Sequence, residues 1–187
     1  MVRAAFPDFQ PRPPWLGPDL QTLRNSFVTV RPDFSAYTDE RLILPLSDDS
    51  GDRLSARLQR PPHPTRPLAL VIHGVAGTEE SAYMHATAAA LLAAGHPVLR
   101  LNLRGSGPSR PLCRLQYHAG RTGDLRDALA ALDPALRAAG IALVGFSLGG
   151  NMLLKFLAEH AAQFPTLAAA SVSAPLDLAA ASRRIEQ

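Results

Sequence analysis

Ser147 stands in the run Gly145-Phe146-Ser147-Leu148-Gly149-Gly150-Asn151. A serine hydroxyl does chemistry when it is lifted clear of its neighbours, given a base, and set beside donors for the charge it creates. The apolar run Ile141-Ala142-Leu143-Val144 leads into this stretch as a strand. Leu148, Met152, Leu153, Phe156 and Leu157 lead out of it as one face of a helix with a 3.6-residue period. A G-x-S-x-G turn between strand and helix is a nucleophile elbow, with glycines at 145 and 149 allowing close approach of the two elements. The plain alternative is a glycine-rich turn carrying an idle serine; with strand and helix both legible, the elbow fits the context better. The helix that follows offers free N–H groups and a positive dipole end, which suit an oxyanion.

Two N–H donors are needed for that oxyanion. One is Leu148, the residue after the serine. The other is expected from His73-Gly74-Val75-Ala76-Gly77, with Val75 as donor and His73 as a structural histidine that orients the loop. Asn102 and Arg104 follow the next strand, and Tyr117-His118 lie further along the same long loop. Asp177 follows the last strand. Together with Gly74 these residues are candidates to line a pocket, because sites in parallel sheets form outside the carboxyl ends of the strands. For His118 the reading favoured is a loop histidine bonded to backbone.

The elements that would position these groups can be read in order. Residues 1–40 are rich in proline and form an irregular arm, anchored by Trp15, Leu16, Leu20 and Leu23. Residues 41–187 form the main domain. Arg41 to Leu46 and Leu54 to Leu58 make a hairpin about an Asp- and Ser-rich turn, which is a turn rather than a metal loop. Leu68 to Ile72 is a strand buried on both faces. A helix from Thr78 or Ser81 runs to about Ala94, where Gly95 stops it. Pro97 to Leu101 is a strand; a long loop, Arg104 to Gly123, follows; a helix from Asp124 is interrupted at Pro134; Leu167 to Ser173 is the last strand. Strands alternating with helices predict an α/β fold with a mostly parallel sheet and right-handed crossovers.

Composition narrows the function. Of the 187 residues, 47% are hydrophobic and the net charge is only +3, which suits a globular chain and gives nucleic acid no particular purchase. The arginines at 100, 104, 110, 114, 121 and 126 read as a loose cluster on a solvated face. One cysteine, Cys113, excludes an internal disulfide and fits a cytoplasmic location. No signal-peptide pattern and no membrane-length apolar stretch is visible, and nothing calls for a metal or an organic cofactor.

Several stretches together resemble the α/β-hydrolase fold, and within it the YheT-like branch related to abhydrolase-domain proteins of eukaryotes. They are Trp15-Leu16 with Leu20-Gln21-Thr22-Leu23, His73-Gly74 with Gly77, Ser81-Ala82-Tyr83, and Leu101 to Gly105. Tyr117 to Gly120, Gly145 to Leu154 and Ser173 to Leu178 complete the match. The resemblance implies a serine hydrolase acting on carboxylic esters, short-chain or lipid acyl. A small-molecule ester would be its partner.

One departure qualifies it. In this fold the nucleophile is followed by an acid and then a histidine on later loops. After Ser147 the chain has one histidine, His160, thirteen positions into the elbow helix and roughly 20 Å along its axis at 1.5 Å per residue. The chain therefore reads as lacking the last strands, with the acid and base on sequence beyond it or replaced by His118 or His73 with Asp177. Two readings stand beside the hydrolase: a non-catalytic interaction module, and an alcohol acyltransferase. The strand near Val172 is expected to be an open sheet edge, capable of self-association.

Overall fold

The computed structural model describes residues 10–11, 13–17, 20–21 and 32–186. Among them run β1 (Thr38–Pro45), β2 (Arg53–Arg60), β3 (Leu68–Ile72), α1 (Ala82–Ala93) and β4 (Val98–Leu101). After a 3-10 turn at Gly107–Leu112 come α2 (Thr122–Ala130), α3 (Pro134–Arg137), β5 (Ile141–Phe146), α4 (Leu148–His160), β6 (Thr166–Val172) and α5 (Leu178–Ile185). The six strands form one sheet in the order β1-β2-β4-β3-β5-β6. β1 and β2 are an antiparallel hairpin, β2 runs antiparallel to β4, and β4, β3, β5 and β6 are mutually parallel.

β3 is central, and all five of its residues are buried. The pleat sends Ala69 and Val71 to one face, where Met84, Ala88 and Leu92 of α1 cover them. Leu68, Leu70 and Ile72 face the other side, among Leu125 and Leu129 of α2 and Met152, Leu153 and Phe156 of α4. The two cores therefore sandwich the sheet, and the four parallel strands β4, β3, β5 and β6 end together at one edge. α1 starts one turn after the loop following β3 and stops at Gly95, whose φ of +93° suits glycine alone. Pro134 does interrupt the helical stretch, which breaks at Thr122–Ala130 and restarts at Pro134–Arg137 with Asp133 as its side-chain cap.

Two expectations are corrected. Leu16 and Leu20 are 53% and 44% exposed, so they do not anchor the arm; Trp15 is half-buried, and Leu23 lies outside the described residues. Phe34 anchors it instead, with the Arg100 guanidinium 5.3 Å over its ring and His85 edge-on at 5.6 Å. Second, the arginines do not share a solvated face: Arg100 and Arg104 are fully buried. The Asp- and Ser-rich stretch is a turn, as expected, joining β1 to β2, and its side chains have distant partners. Asp48 and Asp52 reach inward to Arg104, which also makes a two-pronged contact with Asp124 at 2.7 and 2.9 Å. Asp52 in addition accepts from the backbone N–H groups of Arg114 and Leu115. One guanidinium thus binds the hairpin turn, the long loop and α2 together.

Candidate active site

β5 delivers the chain to Ser147, and α4 takes it away at Leu148. Ser147 is exposed at the apex with φ +50° and ψ −119°, a conformation that costs an L-residue about 1–3 kcal/mol and is held only by its surroundings. Those surroundings are glycines. A Cβ on Gly74 would stand 2.9 Å from Ser147 Cβ, and one on Gly145 would strike the backbone of Gly149. A Cβ on Gly149 would collide with the carbonyl of His73. The loop after β3 and the start of α4 therefore touch backbone to backbone, which brings His73–Gly77 beside Ser147. Strain clusters here: Ala76, Ser147 and Ser173 have φ of +55°, +50° and +51°, and each follows the carboxyl end of a parallel strand.

The amides beside the serine are open. Among the described residues neither the Val75 nor the Leu148 N–H has an acceptor. Val75 is itself 66% exposed. The Leu148 amide also belongs to the first turn of α4, where free N–H groups and the helix dipole favour negative charge.

His73 is fully buried, and its ring is spent on the scaffold. Leu103 N–H donates to Nε2 at 3.0 Å, so the proton sits on Nδ1, which lies 2.8 Å from the Gly74 carbonyl. Ser106 Oγ lies 2.8 Å from Nε2. Burial pushes the His73 pKa down, against the raising effect of the Gly74 carbonyl, so the imidazole is held neutral. It cannot serve Ser147 as base from this position.

Asn102 and Arg104 do not line a pocket either; both lie beneath the site. The Asn102 amide group donates to Ser55 O and Glu79 Oε2, and its oxygen accepts from the Glu79 N–H. Arg104 serves the three aspartates named above. Both follow β4 directly, but that loop turns into the core. Tyr117 is half-buried, and its hydroxyl accepts from the Ala76 N–H at 2.8 Å, so it reaches the loop after β3. His118 is exposed and accepts from the Gly120 N–H at 3.1 Å. Asp177 caps α5 by accepting from the Ala180 N–H. Among the described residues no imidazole or carboxylate is hydrogen-bonded to Ser147. His160, at the far end of α4, is close to Thr122 and Gln163. Two contributors were not singled out in the site sequence: Tyr83, whose hydroxyl accepts from the Gly74 N–H, and Ser106 on His73. Tyr83 stood in a matched stretch, but nothing in its spacing says that a helix side chain reaches back over the loop.

The alpha/beta hydrolase fold family model matches residues 67–186, which span β3 to α5. This chain belongs to that family. It is 34% identical over 169 residues to YheT of Escherichia coli (strain K12), whose name gives it provisionally as an esterase; the match covers 90% of this chain and 48% of YheT. It is 31% identical over 122 residues to the medium-chain fatty acid ethyl ester synthase/esterase 2 of Saccharomyces cerevisiae, covering 65% of this chain and 27% of the yeast protein. The chain thus spans half or less of the length of these curated relatives. Among solved structures, the Pyrococcus furiosus esterase Pf2001 superposes with a TM-score of 0.69 at 18% identity, over 86% of this chain and 61% of that one. XC6422 of Xanthomonas campestris, described as an a/b serine hydrolase without lid, gives 0.57 at 26% identity over 75% of this chain and 63% of its own. Among the described residues no helix is long and apolar enough to cross a membrane, and no cluster of three potential metal ligands occurs.

Proposed function

We propose that the protein is a carboxylic ester hydrolase acting through an acyl-enzyme on Ser147. The observation that carries this is a strained, exposed serine flanked by two amides without acceptors, Val75 and Leu148. Ser147 Oγ attacks the ester carbonyl carbon, and the Val75 and Leu148 N–H groups receive the charge on the carbonyl oxygen. Collapse expels the alcohol, which takes the serine proton by way of a base; water then attacks the acyl-enzyme and frees the acid. Base and acid are assigned to residues of the whole protein beyond this chain, since no described group is bonded to Ser147. Short-chain or lipid acyl esters are the proposed substrates. Esterase stands in the names of both relatives, which favours ester chemistry over an interaction module; ethyl ester synthase also stands in one of them, and product analysis with ethanol present separates hydrolysis from alcohol acyl transfer. The cytoplasm is the proposed location, in keeping with the one free cysteine, Cys113.

The test is hydrolysis of p-nitrophenyl acetate and butyrate by this chain, by the full-length protein, and by each with Ser147→Ala. Turnover by the full-length protein that Ser147→Ala abolishes supports the reading. Full-length turnover indifferent to Ser147→Ala overturns it.

The outer edge of the sheet supports one further point. β6 is outermost, and Leu167 to Val172 are exposed, with Leu167 at 65%. We propose that this chain, taken by itself without the further sequence proposed to carry base and acid, pairs with a second copy through β6, because an uncharged open edge is a template for strand addition. Sedimentation of this chain should show a concentration-dependent dimer that Ala169→Pro dissolves; a monomer at every concentration overturns the pairing.

A further inference from the structure

The loop after β3 has four consecutive amides, and three are occupied. Gly74 N–H donates to the Tyr83 hydroxyl at 3.1 Å, Ala76 N–H donates to the Tyr117 hydroxyl at 2.8 Å, and Gly77 N–H donates to the Gly74 carbonyl at 3.1 Å. Val75 N–H alone has no acceptor among the described residues. We propose that Tyr83 and Tyr117 are positioning residues that make Val75 the single open amide of this loop. This rests on the ester-hydrolase reading above.

The backbone geometry gives the reason. In a trans peptide the carbonyl and the N–H point in opposite directions. The Gly74 carbonyl shares its plane with Val75 N–H, and it is held inward by His73 Nδ1 at 2.8 Å and by Gly77 N–H. Val75 N–H therefore aims outward. The planes before and after this one are fixed by the two tyrosine hydroxyls. Tyr117 does so at a position under strain, because Ala76 sits at φ +55°. Without its acceptor, nothing else described holds the Ala76 N–H, and the plane beside Val75 is free to turn.

The rings carry the hold to the rest of the site. Tyr83 packs against Phe146, the residue before Ser147, with the rings tilted by 52° and their centroids 4.9 Å apart. Tyr117 meets the His73 ring edge-on at 5.9 Å. Tyr83 thus links the amide on one side of the proposed oxyanion site to the strand that delivers the serine on the other. A phenol is suited to this work. Its oxygen accepts one N–H, its ring is rigid, and it brings no charge that would compete for the oxyanion site.

Tyr83→Phe and Tyr117→Phe remove the hydroxyls and keep the rings. In the full-length protein each is expected to lower kcat for p-nitrophenyl butyrate about 10-fold with KM nearly unchanged, since an oxyanion donor counts in the transition state and not in the ground state. Amide exchange read by NMR on this chain supplies a readout without turnover. Ala76 in Tyr117→Phe, and Gly74 in Tyr83→Phe, should exchange about 10-fold faster or more, while Val75 exchanges fast already in the parent chain. A residue with a merely structural role would lower Tm and leave kcat alone at low temperature. Wild-type kcat in both variants, or unchanged exchange at Ala76 and Gly74, overturns the clamp. Absence of Ser147-dependent hydrolysis in the parent full-length protein counts instead against the ester-hydrolase reading, and the exchange data then decide the clamp by themselves.

Discussion

The Ser147 N–H donates to the Val172 carbonyl at 2.9 Å, so the apex of the elbow is tied to the last residue of the outermost strand. A second tie lies close by: the Asn151 side-chain amide donates to the Pro175 carbonyl at 2.9 Å. The strained serine is thus held from two sides, by Gly74 in the loop after β3 and by the segment that leaves β6. Removing the second tie should be measurable. Asn151→Ala is expected to lower stability by about 1 kcal/mol, the usual net worth of such a bond, as read by urea denaturation. An unchanged midpoint would show that β6 does not brace the elbow through this contact.

The strain at Ser147 can be weighed directly. Alanine there keeps the positive φ and its cost, whereas glycine adopts it freely. Ser147→Gly should therefore be more stable than Ser147→Ala by about 1–2 kcal/mol, even after the extra chain entropy of glycine. Thermal denaturation of the pair gives the answer, and equal Tm values would mean that the conformation carries no strain.

Gly149 is where α4 meets the loop after β3. A Cβ there would strike the His73 carbonyl and Ile72, both backbone-supported and buried. Gly149→Ala should cost about 1–3 kcal/mol despite the higher helix propensity of alanine. Calorimetry should show Tm falling by about 2–4 °C per kcal/mol in a chain of this size. A rise in Tm would be the helix-propensity outcome and would refute the close approach.

Arg104 is fully buried with Asp52 and Asp124, and Asp48 reaches it at 2.8 Å. Arg104→Ala leaves buried carboxylates without their cation and should cost about 3–5 kcal/mol. Lysine should restore only part of that, because a point charge cannot match the two-pronged contact with Asp124. Urea midpoints of the two variants, ordered wild type, lysine, alanine, would bear this out.

Stability should fall in two steps on acidification. His73 is buried with its pKa lowered from 6.5, so the unfolded chain takes up the proton first as pH falls. The stability it contributes is complete above about pH 6.5 and declines below that. Carboxylates give the second step. The Ser50 hydroxyl and Arg104 hold Asp48 down at about 2 from 3.8, so its contribution is present above pH 3.8 and lost as pH falls towards 2. Tm followed from about pH 8 to pH 2 should show both declines. A flat profile between pH 7 and 5 would contradict the neutral, buried His73.

The fold was largely legible from local pattern. Leu68 to Ile72 carries no polar residue, and a strand with no wet face must lie inside a parallel sheet. Gly145, Gly149 and the apolar period after Ser147 place a strand, a sharp turn and a helix in that order. Proline at 134 and glycine at 95 stop helices for reasons that belong to single residues. The readings of the arginines and the arm went astray because charge and hydrophobicity were judged without their partners. Arg104 looks solvated until three aspartates, two of them fifty or more positions earlier in the chain, are brought to it. Leu16 and Leu20 look like anchors until Phe34 takes that place.

The sequence by itself determined which residues become strand, elbow and helix, because period, turn chemistry and burial of apolar runs act over a few neighbours. Only the tertiary structure decided which polar groups face the serine and which are consumed beneath it. Asn102 and His73 end buried, and Tyr83 and Tyr117 end on the amides beside Val75. Those outcomes depend on hydrogen bonds between segments distant in the chain, whose partners no local pattern specifies.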